Sequence, residues 1–195
     1  MNAPKLILAS TSRYRRELLQ RFGISFATAA PQCDEAPLPD EHPAATAERL
    51  AVAKAYAVLA DFPDALIIGS DQVAYRDLTV FGKPMTKAAA TAQLLAMSGR
   101  SIVFHTGVCL LDGRRGTYQC CGVPTEVQFR HLSGEEIDRY LEREADALHC
   151  AGSAKSEGLG IALLDAMSGE DPTALIGLPL IALGRMLRDA GVAVP

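Results

Sequence analysis

The sequence lacks most of the local signatures that would assign a chemistry at sight. It has no GxxxxGK[ST] string and no GxGxxG after a strand, which excludes a P-loop and a dinucleotide fingerprint. The GSAKSEGLG stretch carries three glycines, in the wrong register for either. His42, His105, His131 and His149 are scattered without metal-ligand spacing and read as surface or structural histidines. Gly69-Ser70 and Gly152-Ser153 lack the nucleophile-elbow pattern. Five cysteines (Cys33, Cys109, Cys120, Cys121 and Cys150) form neither a CxxC nor a Cys/His spacing, and Cys120 and Cys121 are adjacent. Free thiols in a reducing cytosol are therefore expected. Nowhere do about 18 apolar residues run together, so no membrane span is predicted. In MNAPKLILASTSRYRR the short apolar run precedes the basic residues, the reverse of a signal peptide. A soluble cytoplasmic protein without a membrane partner is expected. An excess of positive charge is missing too: Lys plus Arg total 19 against 23 Asp plus Glu, a net charge of −4. Stable nucleic-acid binding through bulk charge is thus not expected, although a local cationic pocket remains open.

What is present is an ordinary globular composition, 49% hydrophobic and 22% charged over 195 residues. A chain of this size buries roughly 70% of its unfolded surface, so it needs no metal or disulfide to fold. No repeat, low-complexity tract or linker divides it, and residues 1–195 are read as a single domain, with room for two lobes on one core. Lys5 to Ala9 reads as a short buried strand, followed by Ser10-Thr11-Ser12 and a helix from Arg13 with Tyr14, Leu18, Leu19 and Phe22 at helical spacing. Gly23 sits where a glycine ends a helix. Ile24 to Ala27 suggests a second strand, and the proline-rich, acidic stretch from Pro31 to Pro43 a loop or arm. Ala44 to Ala60 predicts a helix, Ala65 to Gly69 a short buried strand ending at Ser70-Asp71-Gln72, and Gly82-Lys83-Pro84 a turn. A helix capped by Thr86 is expected to reach Met97. Ser101 to Leu111 and Thr117 to Leu132 read as an antiparallel pair, and Ser133 with Glu136 as a capping box. A glycine-punctuated loop from Gly152 to Gly160, a strand from Ile161 to Leu164 and a helix that begins after Pro179 and stops near Gly191 complete a mixed α/β sheet with flanking helices.

The polar residues that remain cluster at strand ends. Arg13, Arg15 and Arg16 stand in the first turn of a helix, against its macrodipole. An anion there would meet free backbone N–H groups and guanidinium forks together. The bland alternative is a solvated basic helix. Asp71 follows LIIGS at what reads as a strand's carboxyl edge, where open α/β sheets place ligands. Lys83 sits in a rigid Gly-Lys-Pro turn, and Asp34 and Glu35 offer carboxylates from the arm. Lys54 falls on the Leu50, Ala51 and Val58 face, either snorkelling or drawn into a pocket. Cations with a few carboxylates suit a polyphosphate ester and a divalent metal. Spacing alone goes no further.

Six strings carry a resemblance: LILASTSRYRRELL, IIGSDQV, GKP, Phe129 to Ser133, CAGSAKSEGLG and IGLPLIAL, in this order over nearly the whole chain. Together they resemble the Maf family of nucleoside triphosphate pyrophosphatases, a branch of the inosine-triphosphatase-like fold. The resemblance implies an elongated, curved mixed sheet with helices packed on it and two lobes around a cleft. It implies hydrolysis between the α- and β-phosphates with Mg²⁺ or Mn²⁺. Ser10 and Arg15 match the phosphate loop, Glu35 and Lys54 the arm and helix positions, Asp71 the proton acceptor and Lys83 the lysine of GKP. Glu35 and Asp71 stand as the metal ligands. One departure is visible: Arg13 occupies a position where the family commonly has proline.

Three positions bear on the substrate. Tyr14 replaces a basic residue of the branch acting on dTTP and UTP, Gln72 a small hydroxyl residue and Glu157 a glutamine. This trio resembles the branch that hydrolyses 7-methyl-GTP. N7-methylation makes guanine a cation, which gains from an aromatic face and a carboxylate. A core role for Tyr14, on the Leu18 and Phe22 face, is the competing reading. A dTTP/UTP enzyme of the same family, and a nucleotide-binding regulator of septum formation in cell division, are the alternatives. A module binding capped RNA is disfavoured by the net charge. Members of the family often form dimers, but no heptad or self-complementary stripe in this sequence adds support for a homodimer.

Overall fold

A computed structural model describes residues 4–194. Seven strands form one mixed sheet in the order β2-β1-β3-β5-β6-β7, with β4 paired to β3 beside that path. The strands are β1 (Leu6–Ala9), β2 (Ala27–Ala29), β3 (Leu66–Arg76), β4 (Thr79–Phe81), β5 (Ser101–Asp112), β6 (Thr117–Phe129) and β7 (Leu164–Gly169). The helices are α1 (Arg13–Gln20), α2 (Pro43–Ala57), α3 (Lys87–Met97), α4 (Gly134–Arg143) and α5 (Leu180–Asp189). None of the helices among the described residues is long and apolar enough to cross a membrane.

The β1-β2 and β1-β3 pairs are parallel, and the rest of the sheet is antiparallel. The side-chain period of a strand divides β3 between two cores. Leu66 and Ile68 pack with Leu18, Leu19, Leu183 and Leu187 of α1 and α5, whereas Ile67 packs with Ala51, Ala55 and Val58 on the α2 side. Towards the far ends of β3, β5 and β6, a third core joins Ala74, Phe104 and Phe129 to Leu94, Met97 and Ile137 of α3 and α4. The long strands thus run through two lobes, as the resemblance implies.

Local chemistry sets most boundaries. Ser12 caps α1 by accepting from Arg15 N, and Thr86 caps α3 by accepting from Ala89 N. Ser133 and Glu136 form the expected capping box on α4. Other boundaries differ from the reading of the sequence. The strand beginning near Leu66 does not stop at Gly69 but continues to Arg76, because β5 supplies antiparallel partners as far as Tyr75. The second strand is Ala27–Ala29 rather than 24–27, as its pairing to Ile7, Leu8 and Ala9 determines. Residues 159–163 form a 3-10 turn, and the strand expected at 161–164 lies instead at Leu164–Gly169. The short β4, folded back from β3 through Asp77 at φ 55°, has only three residues, too few for a pattern to announce it.

Candidate functional site

The site begins where β3 loses its neighbours. β1 pairs with β3 through Ile68 and β4 pairs from Ala74 onward, so the stretch between them has no partner strand on that side. Asp71 lies in this gap. It is therefore mid-strand, not at a strand terminus as expected, yet beside the C-terminal end of parallel β1 and the Ser10-Thr11-Ser12 loop. That is the crevice position favoured for ligands in open sheets.

Close packing of α2 brings a cation to Asp71. A Cβ on Gly69 would lie 2.0 Å from the Ala51 carbonyl oxygen, and one on Gly107 2.5 Å from that of Ala47. Glycines in the sheet and alanines on the helix thus let the backbones approach to a distance that larger residues forbid. Lys54, on the same face of α2 as Ala51, is 6% exposed. Its Nζ donates to Asp71 Oδ1 at 2.6 Å and lies 2.9 Å from Glu35 Oε1. It is drawn into a pocket rather than snorkelling. Burial raises the Glu35 pKa, but the hydrogen bond and charge of Lys54, with the charges of Lys83 and Arg15, outweigh that and hold it below the usual carboxylate value.

The opposite face of β3 holds a loop. Ser70 Oγ donates to the carbonyls of Gly107 (2.8 Å) and Gly177 (3.0 Å). Arg15 Nε also donates to Gly177 O, at 2.8 Å. Desolvation lowers the Arg15 pKa, opposed by Asp71 and Glu35. Gln72 Nε2 lies 2.9–3.0 Å from Thr106 Oγ1, Ala174 O and Leu175 O. Asp171 and Thr173 close the loop onto α5: Asp171 Oδ2 accepts from Ile181 N at 2.7 Å, and Thr173 Oγ1 accepts from Leu180 N at 2.8 Å.

A cleft of about 450 Å³ joins these groups. Ser10, Tyr14, Arg15, Glu35, Lys54, Asp71, Gln72, Lys83 and Glu157 all line it. Ser10 is buried and accepts from Ser12 N at 3.1 Å, while Lys83 and Glu157 are exposed. The expected convergence of the helix arginines is only partial. Arg13 and Arg15 both line the cleft, Arg13 paired with Asp146, whereas Arg16 lies in a separate hydroxyl-lined pocket with Thr28 and Ala30. A turn of about 100° per residue along a helix separates neighbouring side chains in this way.

Tyr14 is not a core residue: it lines the cleft, and its hydroxyl accepts from Arg13 Nη2 at 2.9 Å and donates to Asp146 Oδ2 at 3.3 Å. Lys155 Nζ bonds Glu144 Oε1 (2.8 Å) and Asp146 Oδ2 (3.0 Å) and stands 5.8 Å from the Tyr14 ring centroid. Asp146 and Thr106 carry no sequence signal, since Arg13 and Ala174 lie far along the chain, whereas Ser70 and Lys155 fall inside the IIGSDQV and CAGSAKSEGLG strings without a role there. Asp171-Pro172-Thr173 did carry a signal, that of a turn closed by short polar side chains.

Among the described residues, no cluster of three or more His, Cys, Asp or Glu side chains could hold a metal by itself. Glu35 and Asp71, converging on one ammonium, form a two-carboxylate set. Such a set suits Mg²⁺, which takes one or two carboxylates and completes its shell with phosphate oxygens and water.

Comparison with known proteins agrees with this architecture. The chain is 58% identical over 195 residues to a 7-methyl-GTP pyrophosphatase of Aromatoleum aromaticum, covering all of both chains. It is 59% identical over 191 residues to one of Burkholderia pseudomallei, covering 96% of this chain and 88% of that one. A third, from Xanthomonas oryzae pv. oryzae, is 55% identical over 192 residues, covering 98% of this chain and all of that one. The family model described as Maf-like protein matches residues 5–190, and the chain belongs to the Maf family.

Proposed function

We propose that this chain is a nucleoside triphosphate pyrophosphatase whose substrate is 7-methyl-GTP, with residues 1–195 acting as one catalytic unit in the cytoplasm. The observation that carries the reading is the pairing, in one cleft, of three cations with two carboxylates at an unpartnered strand edge. Arg15, Lys54 and Lys83 offset the charge of a triphosphate, and Ser10 with the α1 N-terminus receives a phosphate. Water attacks the α-phosphorus, Asp71 accepts its proton, a P–O bond forms, and the bond to the bridging oxygen breaks to release pyrophosphate. Glu35 and Asp71 would hold Mg²⁺ or Mn²⁺, which when bound neutralises charge on the phosphate oxygens.

At the other end of the cleft, Tyr14 offers a ring and Glu157 an exposed carboxylate that can accept from guanine N1–H and N2–H₂. The names of the relatives support this base. Gln72, whose amide nitrogen is committed to Thr106 and two loop carbonyls, supports base choice through the loop it holds.

The test is pyrophosphate release with Mg²⁺ or Mn²⁺ across 7-methyl-GTP, GTP, dTTP, UTP and CTP, for the native protein and Asp71→Asn. Preference for 7-methyl-GTP, with kcat at least about 100-fold lower in the variant, is expected for loss of a proton acceptor. Preference for dTTP or UTP would overturn the base assignment and keep the chemistry. Absence of turnover on all five would favour a nucleotide-binding regulator.

A further inference from the structure

Arg13 lines the cleft, and the triphosphate end of the cleft does not account for it. Its guanidinium is engaged by Tyr14 and Asp146. Cζ lies 4.8 Å from the Tyr14 ring centroid, and Nη2 reaches both the Tyr14 hydroxyl and Asp146 Oδ2. Arg13 and Asp146 are 52% and 40% exposed, so the pair closes a corner of the cleft rather than a core.

The chemistry of that corner is specific. An aromatic ring beside a carboxylate is a binding site for a planar, delocalised cation, and Arg13 is such a group held in place by its own chain. The surrounding charges leave room for one more cation. Lys155 is already satisfied by Glu144 and Asp146, and Glu157 is bonded only to the Ser156 hydroxyl, at 3.5 Å, among the described residues. The corner thus sets three carboxylates, Glu144, Asp146 and Glu157, against two cations, Arg13 and Lys155. Asp146 and Glu157 both line the cleft with Tyr14.

We propose that Arg13 is a displaceable plug that fills the Tyr14–Asp146 corner until a cationic purine base takes its place, which makes Arg13 and Asp146 determinants of selectivity for charged over neutral bases. The inference rests on the substrate reading above, in that it takes the base end of the cleft to be the Tyr14 end. A cation entering the corner must first break an exposed ion pair and an exposed cation–π contact. Both contacts are exposed and individually weak, so removing Arg13 should tighten a cationic base by about three- to tenfold. A neutral guanine inherits the cleared ring face but not the uncompensated charge, and should gain less than about twofold.

The experiment is calorimetric titration of 7-methyl-GMP and GMP, without metal, into the native protein, Arg13→Gln and Asp146→Asn. Turnover of 7-methyl-GTP and GTP by the native protein is measured alongside. Arg13→Gln should tighten 7-methyl-GMP selectively, and Asp146→Asn should erase most of the preference for 7-methyl-GMP over GMP. Circular dichroism checks the fold of Asp146→Asn, because Asp146 also anchors Lys155; the exposed Arg13 variant carries the test if Asp146→Asn is unfolded. Equal tightening of both nucleotides would overturn the proposal in favour of simple steric obstruction. Weaker binding of both would overturn it in favour of a phosphate-binding arginine. No binding of 7-methyl-GMP by any form would overturn it outright. Native turnover that favours GTP would sink the substrate reading alone, since the calorimetric comparison still decides whether Arg13 competes with a cation.

Discussion

Replacing Gly69 by alanine should damage both the fold and the chemistry, because one backbone contact serves both. The added Cβ would lie 2.0 Å from Ala51 O and 2.9 Å from Ala55 N, both main-chain atoms of α2, so no rotamer change relieves the clash. Ordinary contact distances of about 3.5 Å require the helix to retreat by more than about 1 Å at this point. Overpacking of this kind costs about 1–3 kcal/mol. Lys54 lies on the same turn of α2, between those two residues, and its bond to Asp71 is 2.6 Å. A retreat of about 1 Å carries that distance past the range of a hydrogen bond, to about 3.6 Å. Urea unfolding followed by circular dichroism should show the lowered midpoint, a probe chosen because the chain has no tryptophan. Turnover measured well below the transition should fall at least about tenfold, more than unfolding explains, since positioning errors near 1 Å are that costly. Gly134→Ala is the control: nothing lies within 4 Å of its Cβ, and the change suits the first turn of a helix. A Gly69→Ala protein with a lowered midpoint but native kcat would refute the link between helix spacing and Lys54.

Two further perturbations read other parts of the structure. Gln72→Leu removes the donor to Leu175 O, while Ala174 O keeps that of Thr106 (2.8 Å). A buried acceptor left unpaired costs about 1–3 kcal/mol, so amide exchange across residues 173–178 should accelerate; unchanged protection there would remove Gln72 from its holding role. Glu41, bonded first of all by Arg49, has its pKa lowered to about 2. A depressed carboxyl contributes stability that is complete above the unfolded value of about 4.3 and is lost as pH falls towards the folded one. Urea melts at pH 5, 4, 3 and 2 should therefore show a shallower acid loss in Glu41→Gln than in the native protein, and parallel curves would count against this pair.

Much of the fold was legible because its signals are local. The buried run Leu6 to Ala9, the alanine-rich α2, the Thr86 cap and the Ser133–Glu136 box each depend on neighbours within a few residues. The errors fall where a distant partner decides. Ser70-Asp71-Gln72 has the composition of a turn, yet it is strand because β5 pairs with it. Leu164–Gly169 is mostly exposed and has no apolar alternation, and it is strand only by virtue of β6. Among site residues, Lys83 is a weak signal on spacing and Asp71 is evenly balanced against an ordinary strand-end turn, and the family resemblance gives both weight. Asp146 had no signal at all, because its cleft partner on α1 is more than a hundred residues away in sequence, and Lys155 lies in the CAGSAKSEGLG string without a role there for the same reason.

The pleat of β3 explains why adjacent residues in IIGSDQV do different work. Gly69 and Asp71 face α2, where one admits the helix and the other meets the lysine that the helix carries. Ser70 and Gln72 face the other way and spend their hydrogen bonds on the carbonyls of 174, 175 and 177. Because β1 ends and β4 has not yet begun, this stretch of the strand lies open at its edge, and the cleft is reached from both faces. Substitutions at 69 and 71 should therefore alter the reacting end directly, whereas those at 70 and 72 act through the loop and through Arg15, which shares the Gly177 carbonyl with Ser70. Gly69 and Ser70 are buried while Asp71 and Gln72 are only partly so, and a strand that continued in the parallel ladder would have hidden these two as well, so the break in pairing is what makes this segment a site.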